Sequence, residues 1–175
     1  ECRKYYPEFR VSINLSYVQI LKSPLMMELK QMIEHSGISC SGIIVELTES
    51  GYLEGTPAVR SVWNDMKQLR IQLALDDFGT DYSNLMNISN LEPDIVKLDR
   101  GFTLKALSRS YEYQLMQYVI EMVHKLNQYV CVEGVETKED LEKIKALGPD
   151  LIQGYYYSKP CSRDEFLKKF FDYSE

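Results

Sequence analysis

Asp76 and Asp77 stand side by side within Leu73-Ala74-Leu75-Asp76-Asp77-Phe78-Gly79-Thr80-Asp81-Tyr82-Ser83-Asn84-Leu85. Adjacent carboxylates repel each other, and without a cation one of them tends to keep its proton. A divalent cation removes that repulsion, and hard ions such as Mg²⁺ or Mn²⁺ favour carboxylate oxygen. An acidic turn that caps the following helix uses the same residue types. This stretch alone leaves both uses open.

Other polar residues recur at comparable places. Asn14, Glu46, Lys97, Glu133 and Gln153 each fall late in an apolar segment. Glu46, Asp76, Asp77 and Glu133, with the Asn14 amide oxygen nearby, make a hard-oxygen set with capacity for one or two divalent ions. Lys97 among these acids is either a structural counter-ion or a group that binds a phosphate oxygen or holds an attacking water. A two-ion site activates water and stabilises the attacking and leaving oxygens of an in-line phosphoryl displacement. No nucleophilic Cys or Ser motif is present, so hydrolysis by metal-bound water is the expected reaction class. Glu49 and Glu136 each stand three residues beyond a site acid, where they either orient the neighbouring loops or cap helices.

The elements that must position these groups can be read from period. Residues 11–16 and 71–76 alternate as strands do, and further strands are expected over 42–49, 94–100, 129–136 and 151–157. Ser23-Pro24 and Gly37 bracket a helix with Leu25, Leu29, Met32 and Ile33 inward. Thr56-Pro57 opens another, striped by Val59, Val62, Trp63, Met66 and Leu69. A short helical turn is expected near 83–89 and a long helix over 110–127 with Leu115, Val119, Met122, Val123 and Leu126 inward. Thr137 caps the helix that Gly148-Pro149 closes, and Ser162 with Glu165 forms a capping box for the last one. His35 and His124 have no second ligand at metal spacing and read as solvated or capping residues.

Strands alternating with helices imply a parallel sheet. Each late polar residue shares parity with a neighbour two positions earlier: Ser12, Ile44, Ala74, Ile95, Cys131 and Leu151. One polar residue from each of six strand ends favours a TIM-type (β/α)₈ barrel over a doubly wound sheet. Such a barrel takes about 250 residues, so 175 residues accommodate about six units. The expectation is an N-terminally truncated α/β barrel, its first strands preceding Glu1. Its edges beside Val11–Ser16 and Leu151–Tyr157 would be open, favouring self-association and very weak hydrolysis by the chain alone.

Composition bounds the partners. With 45% hydrophobic and 26% charged residues, the chain suits one soluble globular domain over 1–175. A net charge of −6 argues against binding duplex nucleic acid. An anionic substrate stays compatible if a metal supplies local positive charge. Cys2, Cys40, Cys131 and Cys161 form no C-x-x-C pair, which fits a reducing cytoplasm. No apolar run approaches a membrane span. The chain opens without Met and looks like an excised piece, which leaves a membrane anchor in a parent protein open.

Asn14-Leu15-Ser16, Glu46-Leu47-Thr48-Glu49, Asp76-Asp77-Phe78-Gly79-Thr80, Lys97-Leu98-Asp99, Glu133-Gly134-Val135-Glu136-Thr137 and Gln153-Gly154-Tyr155-Tyr156 resemble, in order, successive signatures of the EAL domain family. Each motif alone is weak; six in order are specific. Members are bacterial phosphodiesterases that cleave cyclic di-GMP to linear pGpG. The resemblance implies a Mg²⁺- or Mn²⁺-dependent barrel enzyme, with Asn14, Glu46, Asp76 and Asp77 as metal ligands. It implies that Glu133 is a ligand or the general base, that Lys97 positions water, and that Gln153 and Asp99 contact the nucleotide. Glu49, with Glu136, would hold loops, including the one after Asp77, around whose Phe78 and Tyr82 a homodimer would form. Upstream sensory or GGDEF-type domains are compatible with a parent protein. A non-catalytic cyclic di-GMP receptor is the alternative. The sequence departs from the family in lacking the early Glu-Ala-Leu segment and in having Asp81 where Gly is usual.

Overall fold

Short runs rich in Val, Ile and Leu form six strands in the computed structural model, which describes residues 2–22, 24–48, 57–80 and 85–171. They are β1 (Val11–Leu15), β2 (Ile43–Thr48), β3 (Gln72–Phe78), β4 (Ile95–Leu98), β5 (Tyr129–Val132) and β6 (Leu151–Ile152). Every adjacent pair is parallel, and spatial order follows chain order. This is the strand order of a TIM-type barrel, of which the sheet forms an open part with β1 and β6 as its edges. Helices α1 (Cys2–Tyr5), α2 (Tyr17–Lys22), α3 (Leu25–Ser36), α4 (Pro57–Gln68), α5 (Leu85–Leu91), α6 (Arg100–Ser108), α7 (Ser110–Lys125), α8 (Lys138–Lys145) and α9 (Arg163–Phe171) accompany the strands. None of the described helices is long and apolar enough to cross a membrane.

Alternation divides the sheet into two faces. Val45, Leu47, Leu73, Leu75, Val96, Leu98, Val130 and Val132 are buried in the main core with Val59, Trp63 and Met66 of α4, and with Met116, Ile120 and Val123 of α7. The other face carries a small separate cluster, Ala74, Ile95 and Cys131, with Ile44 packed against it. These are the inward positions that strand parity predicts. The inner layer is sparse, and this sparseness leaves room for the polar residues one step further along each strand.

The N-terminal ends of the strands are clamped by aspartates. Asp94 Oδ2 accepts from the Leu73 amide at 2.8 Å, and Asp150 Oδ2 accepts from the Val130 amide at 2.8 Å. The amides of Asp94 and Asp150 donate to the Leu73 and Val130 carbonyls in return. The capping box expected from sequence at Ser162 and Glu165 is formed, and Thr137, expected as a cap, forms a second box with Asp140. Gly37 closes α3 in the left-handed conformation. Ser23 and Thr56 lie outside the described residues.

Several expectations need correction. The last strand has two residues rather than seven, because the chain turns at 154–157, where the Tyr156 amide donates to the Val135 carbonyl. A Cβ at position 154 would run into the Val135 backbone, so only glycine allows this approach. The β4 segment ends at Leu98, and α6 follows at once, a helix that the sequence reading did not separate. On α7 the buried stripe is Met116, Ile120 and Val123, while Leu115 and Leu126 are exposed. Met32 is exposed too, while Leu29 and Ile33 are buried and Leu25 and Met26 pack against the core from α3. The edge strand β1 is exposed at Val11 and Ile13, yet the segments flanking the two edges touch. Tyr5 and Phe9 stack edgewise or at a tilt against Phe166 and Phe171 of α9, with ring centroids 5.8–6.1 Å apart.

Candidate functional site

Strand register builds the site. Asn14 lies directly across from Glu46 on the β1–β2 ladder, and Lys97 across from Cys131 on the β4–β5 ladder. From β4, Lys97 reaches three carboxylates on other segments. Its Nζ lies 2.7 Å from Glu46 Oε2, 2.9 Å from Asp76 Oδ1 and 2.6 Å from Glu133 Oε1. Glu46 and Lys97 are buried, whereas Asp76 and Glu133 are partly accessible. Strand alternation alone would turn Asp77 away from this cluster. It instead adopts a left-handed backbone at φ 60°, and the β3–β4 register shifts between Leu75 and Phe78. Gly79 follows at φ 102° against the Phe102 ring, where a side chain would be both strained and obstructed.

The electrostatics follow from crowding acids around one ammonium. Burial pushes the Glu133 carboxyl up from its ordinary value; Lys97 pulls it back, and the Asp76 and Glu46 charges push it further up. Asp77 is raised by burial and then by its neighbours Asp76 and Asp99. For Lys97, burial favours the neutral amine, but the contacts with Glu133, Glu46 and Asp76 outweigh it and keep the ammonium charged. The Cys131 thiol is pushed up to about 12 by burial and then by the Glu133 charge, so it is an inert core thiol.

The remaining sequence candidates are distributed around this centre. Gln153 is exposed and lines the cavity over the inner face. Asp99 is committed to structure: its Oδ1 accepts from the Gly101 amide at 2.7 Å and the Phe102 amide at 3.3 Å, capping α6. Glu136 Oε1 accepts from Arg100 Nη2 at 2.7 Å and Nε at 3.2 Å, tying the loop after β5 to the start of α6. Glu49, Asp81 and Tyr82 lie outside the described residues. Phe78, expected at a dimer surface, is instead buried in the main core.

A cavity of about 640 Å³ opens over the inner face and reaches Glu46 and Lys97 at its floor. Tyr155, Tyr157, Lys159, Phe166 and Phe170 contribute to its wall, and Lys159 Nζ sits 5.6 Å from the Tyr155 ring centre. Sequence reasoning did not assign these residues; the Tyr155-Tyr156-Tyr157 run with a nearby lysine was the available signal. An aromatic and basic wall above a carboxylate floor suits a planar, anionic ligand bridged by cations.

The donor set fits a divalent ion in kind. Three carboxylates around one ammonium leave two negative charges in excess, and Asp77 lies beside them. All the donors are hard oxygens. As they stand, the acids are drawn toward Lys97, and among the described residues no three His, Cys, Asp or Glu side chains form a ready cage.

Comparison with known proteins agrees with this architecture. The EAL domain matches residues 1–160. The chain is 31% identical over 160 residues to the cyclic di-GMP phosphodiesterase PdeF of Escherichia coli strain K12, covering 91% of this chain and 21% of PdeF. It superposes on the EAL enzyme Bd1971, in its cAMP- and cyclic di-GMP-bound form, with a TM-score of 0.88 and 29% identity over 93% of this chain and 43% of that one. On the manganese and cyclic di-GMP complex of Klebsiella pneumoniae BlrP1 the TM-score is 0.83 at 25% identity, over 91% of this chain and 41% of that one. The chain thus spans about a fifth of the length of its curated relative and under half of these solved chains.

Proposed function

The chain belongs to the EAL domain family, and from that premise we propose that it hydrolyses cyclic di-GMP to linear pGpG with a divalent metal ion, Mg²⁺ or Mn²⁺. The observation that carries the reading is the convergence of Glu46, Asp76 and Glu133 on Lys97 beneath an aromatic cavity. Asn14, Glu46, Asp76 and Asp77 would hold the ion. When bound, it supplies charge neutralisation at the phosphodiester and acidifies water.

The chain's own residues account for the rest. Glu133, with its raised proton affinity, accepts the proton of the attacking water. The water oxygen bonds to phosphorus as one phosphodiester P–O bond breaks, which opens the ring, and the departing ribose oxygen takes up a proton to become a hydroxyl. Lys97 neutralises charge on the phosphate oxygens, and its raised proton affinity keeps it cationic throughout. Gln153 presents an amide to the nucleotide from the cavity rim, and Tyr155 and Tyr157 cover its apolar faces. Glu136, through Arg100, holds the loop after β5 in position.

We extend the proposal to a cytoplasmic setting, which is compatible with a sensory or GGDEF-type domain in a parent protein. A second copy docks beside the stretch after Asp77, where Leu85, Tyr111, Leu115 and Tyr118 are exposed around one groove. Sedimentation at micromolar concentration tests this dimer; a monomer for the parent and for Tyr118→Glu alike would refute it.

One observation favours a second reading. The ammonium already occupies the point where the acids converge, as suits a nucleotide receptor without turnover. Incubation with cyclic di-GMP and Mn²⁺, followed by chromatography, decides between them. Appearance of pGpG supports the enzyme. Nucleotide binding without pGpG supports the receptor, and absence of both overturns the two readings together.

A further inference from the structure

Lys97 is surrounded by acids from three other segments, and the arrangement is self-contained. Glu46 comes from β2, Asp76 from β3 and Glu133 from the end of β5, each within 2.9 Å of one ammonium. Without Lys97, these buried and half-buried carboxylates would face one another with no counter-charge, which is strongly unfavourable in a poorly solvated site. With Lys97, negative charge still exceeds positive charge. Oε1 of Glu133 is fully buried and close to Nζ, yet among the described residues no donor approaches it with hydrogen-bonding geometry.

We propose that Lys97 is a built-in stand-in for the divalent ion. It holds the carboxylates together when no ion is bound, and it yields some of those oxygens when one binds. The inference rests on the reading of the cluster as a divalent-ion site and adds a role for Lys97 in the ion-free protein. It follows that ion binding and Lys97 compete for the same acids. An ammonium released from those contacts becomes available to a phosphate group in the cavity, so ion binding prepares the site for an anionic ligand. The same competition explains how the acids cluster tightly without forming a ready cage.

The test uses the whole chain with Mn²⁺ and Mg²⁺ alone as probes. Lys97→Met keeps the length of the side chain and removes its charge. Without metal, its melting temperature falls by roughly 10 °C relative to the parent, as expected for breaking a buried ion network. Its Mn²⁺ affinity, measured by titration calorimetry, rises by roughly tenfold because a competing cation has gone. Mn²⁺ therefore raises its melting temperature more than it raises that of the parent. Equal ion-free melting temperatures, or weaker Mn²⁺ binding by the variant, would overturn the proposal. If Lys97→Met does not fold under any condition, the parent decides: Mg²⁺ shifts the Lys97 ammonium ¹⁵N resonance and speeds its proton exchange, and an unmoved resonance at saturating Mg²⁺ refutes displacement. Failure of the parent to bind either ion is a different result, because it removes the divalent-ion reading itself.

Discussion

Acidic side chains occupy both ends of the same strands, and the two ends hold them differently. At the N-terminal ends, Asp94 and Asp150 each turn Oδ2 onto a backbone amide, at Leu73 and Val130. At the C-terminal ends, Glu46, Asp76 and Glu133 share a single ammonium. A carboxylate fixed by backbone donors satisfies a group that would otherwise be unpaired, and its task ends there. Carboxylates that outnumber their counter-charge form a site that gains from another cation. In parallel barrels chemistry concentrates at the C-terminal ends and stability at the N-terminal ends, and here the partners of each acid show the physical basis of that division.

The largest expected effect tests the upper end. Glu133→Gln removes the proton acceptor and should lower cyclic di-GMP hydrolysis by the metal-loaded protein about 10²–10⁴-fold. Asp76→Asn should weaken Mn²⁺ binding in calorimetry, since it withdraws an anionic oxygen from the cluster. Parental turnover in the first variant and parental affinity in the second would erase the distinction between the two ends.

The lower end responds in stability instead. Asp94→Ala strands the Leu73 amide, and Asp150→Ala strands the Val130 amide, both on fully buried residues. Each should cost about 1–3 kcal/mol in urea unfolding. Neither should change Mn²⁺ affinity in the protein that remains folded. A variant at Asp94 that binds Mn²⁺ poorly while unfolding normally would reverse the assignment.

How far the sequence discloses this division depends on the element. Strand parity places Glu46, Asp76, Lys97 and Glu133 on the inner face, because alternation is a local property. It also places Ala74, Ile95 and Cys131 beneath them, as the structure shows. The clamps are not legible in this way. Asp94 reads as the first residue of a strand, and its bond to Leu73 depends on a neighbour 21 residues away. Asp99 likewise reads as part of a site motif, while the structure turns it onto the N-terminus of α6. Helix α6 itself escapes notice because the Asp99 cap and Gly101 look like loop residues. On α7 the expected Val123 is buried and Val119 and Met122 pack against the core, whereas Met116 and Ile120 escape notice for a similar cause. Apolar residues are spread around that helix, and only tertiary contact selects Met116, Ile120 and Val123. The meeting of Phe9 with Phe166 and Phe171 joins segments that no local pattern connects.

Titration offers a third contrast. Folding raises the proton affinity of Glu133 and Asp77, so the folded chain binds more protons than the unfolded chain above their ordinary values of 4.5 and 3.8. Stability therefore falls as pH rises from those values through the raised folded ones. The expected outcome for the metal-free protein is a melting temperature that declines across this window. Saturating Mn²⁺ should flatten the decline, and Glu133→Gln should remove the part that Glu133 contributes. A metal-free melting temperature that climbs steadily across the same range would contradict the account of crowded acids at the upper end.

The smallest effect sharpens the reading of the clamps. Asp150 Oδ2 has two partners, the buried Val130 amide at 2.8 Å and His124 Nε2 at 2.9 Å. The imidazole is 37% exposed, so water replaces it readily when it is removed. The amide belongs to a fully buried residue and has no such substitute. If the backbone contact is what fixes Asp150, His124→Ala should cost well under about 1 kcal/mol, as exposed pairs do. Asp150→Ala should cost several times more. The double variant should then match Asp150→Ala closely, because with the carboxylate gone His124 has nothing left to hold. Equal losses in the two single variants would mean that the imidazole orients the carboxylate and the amide merely follows. In that case the clamp at β5 would work differently from the one at β3, where Asp94 acts on Leu73 without a histidine bond.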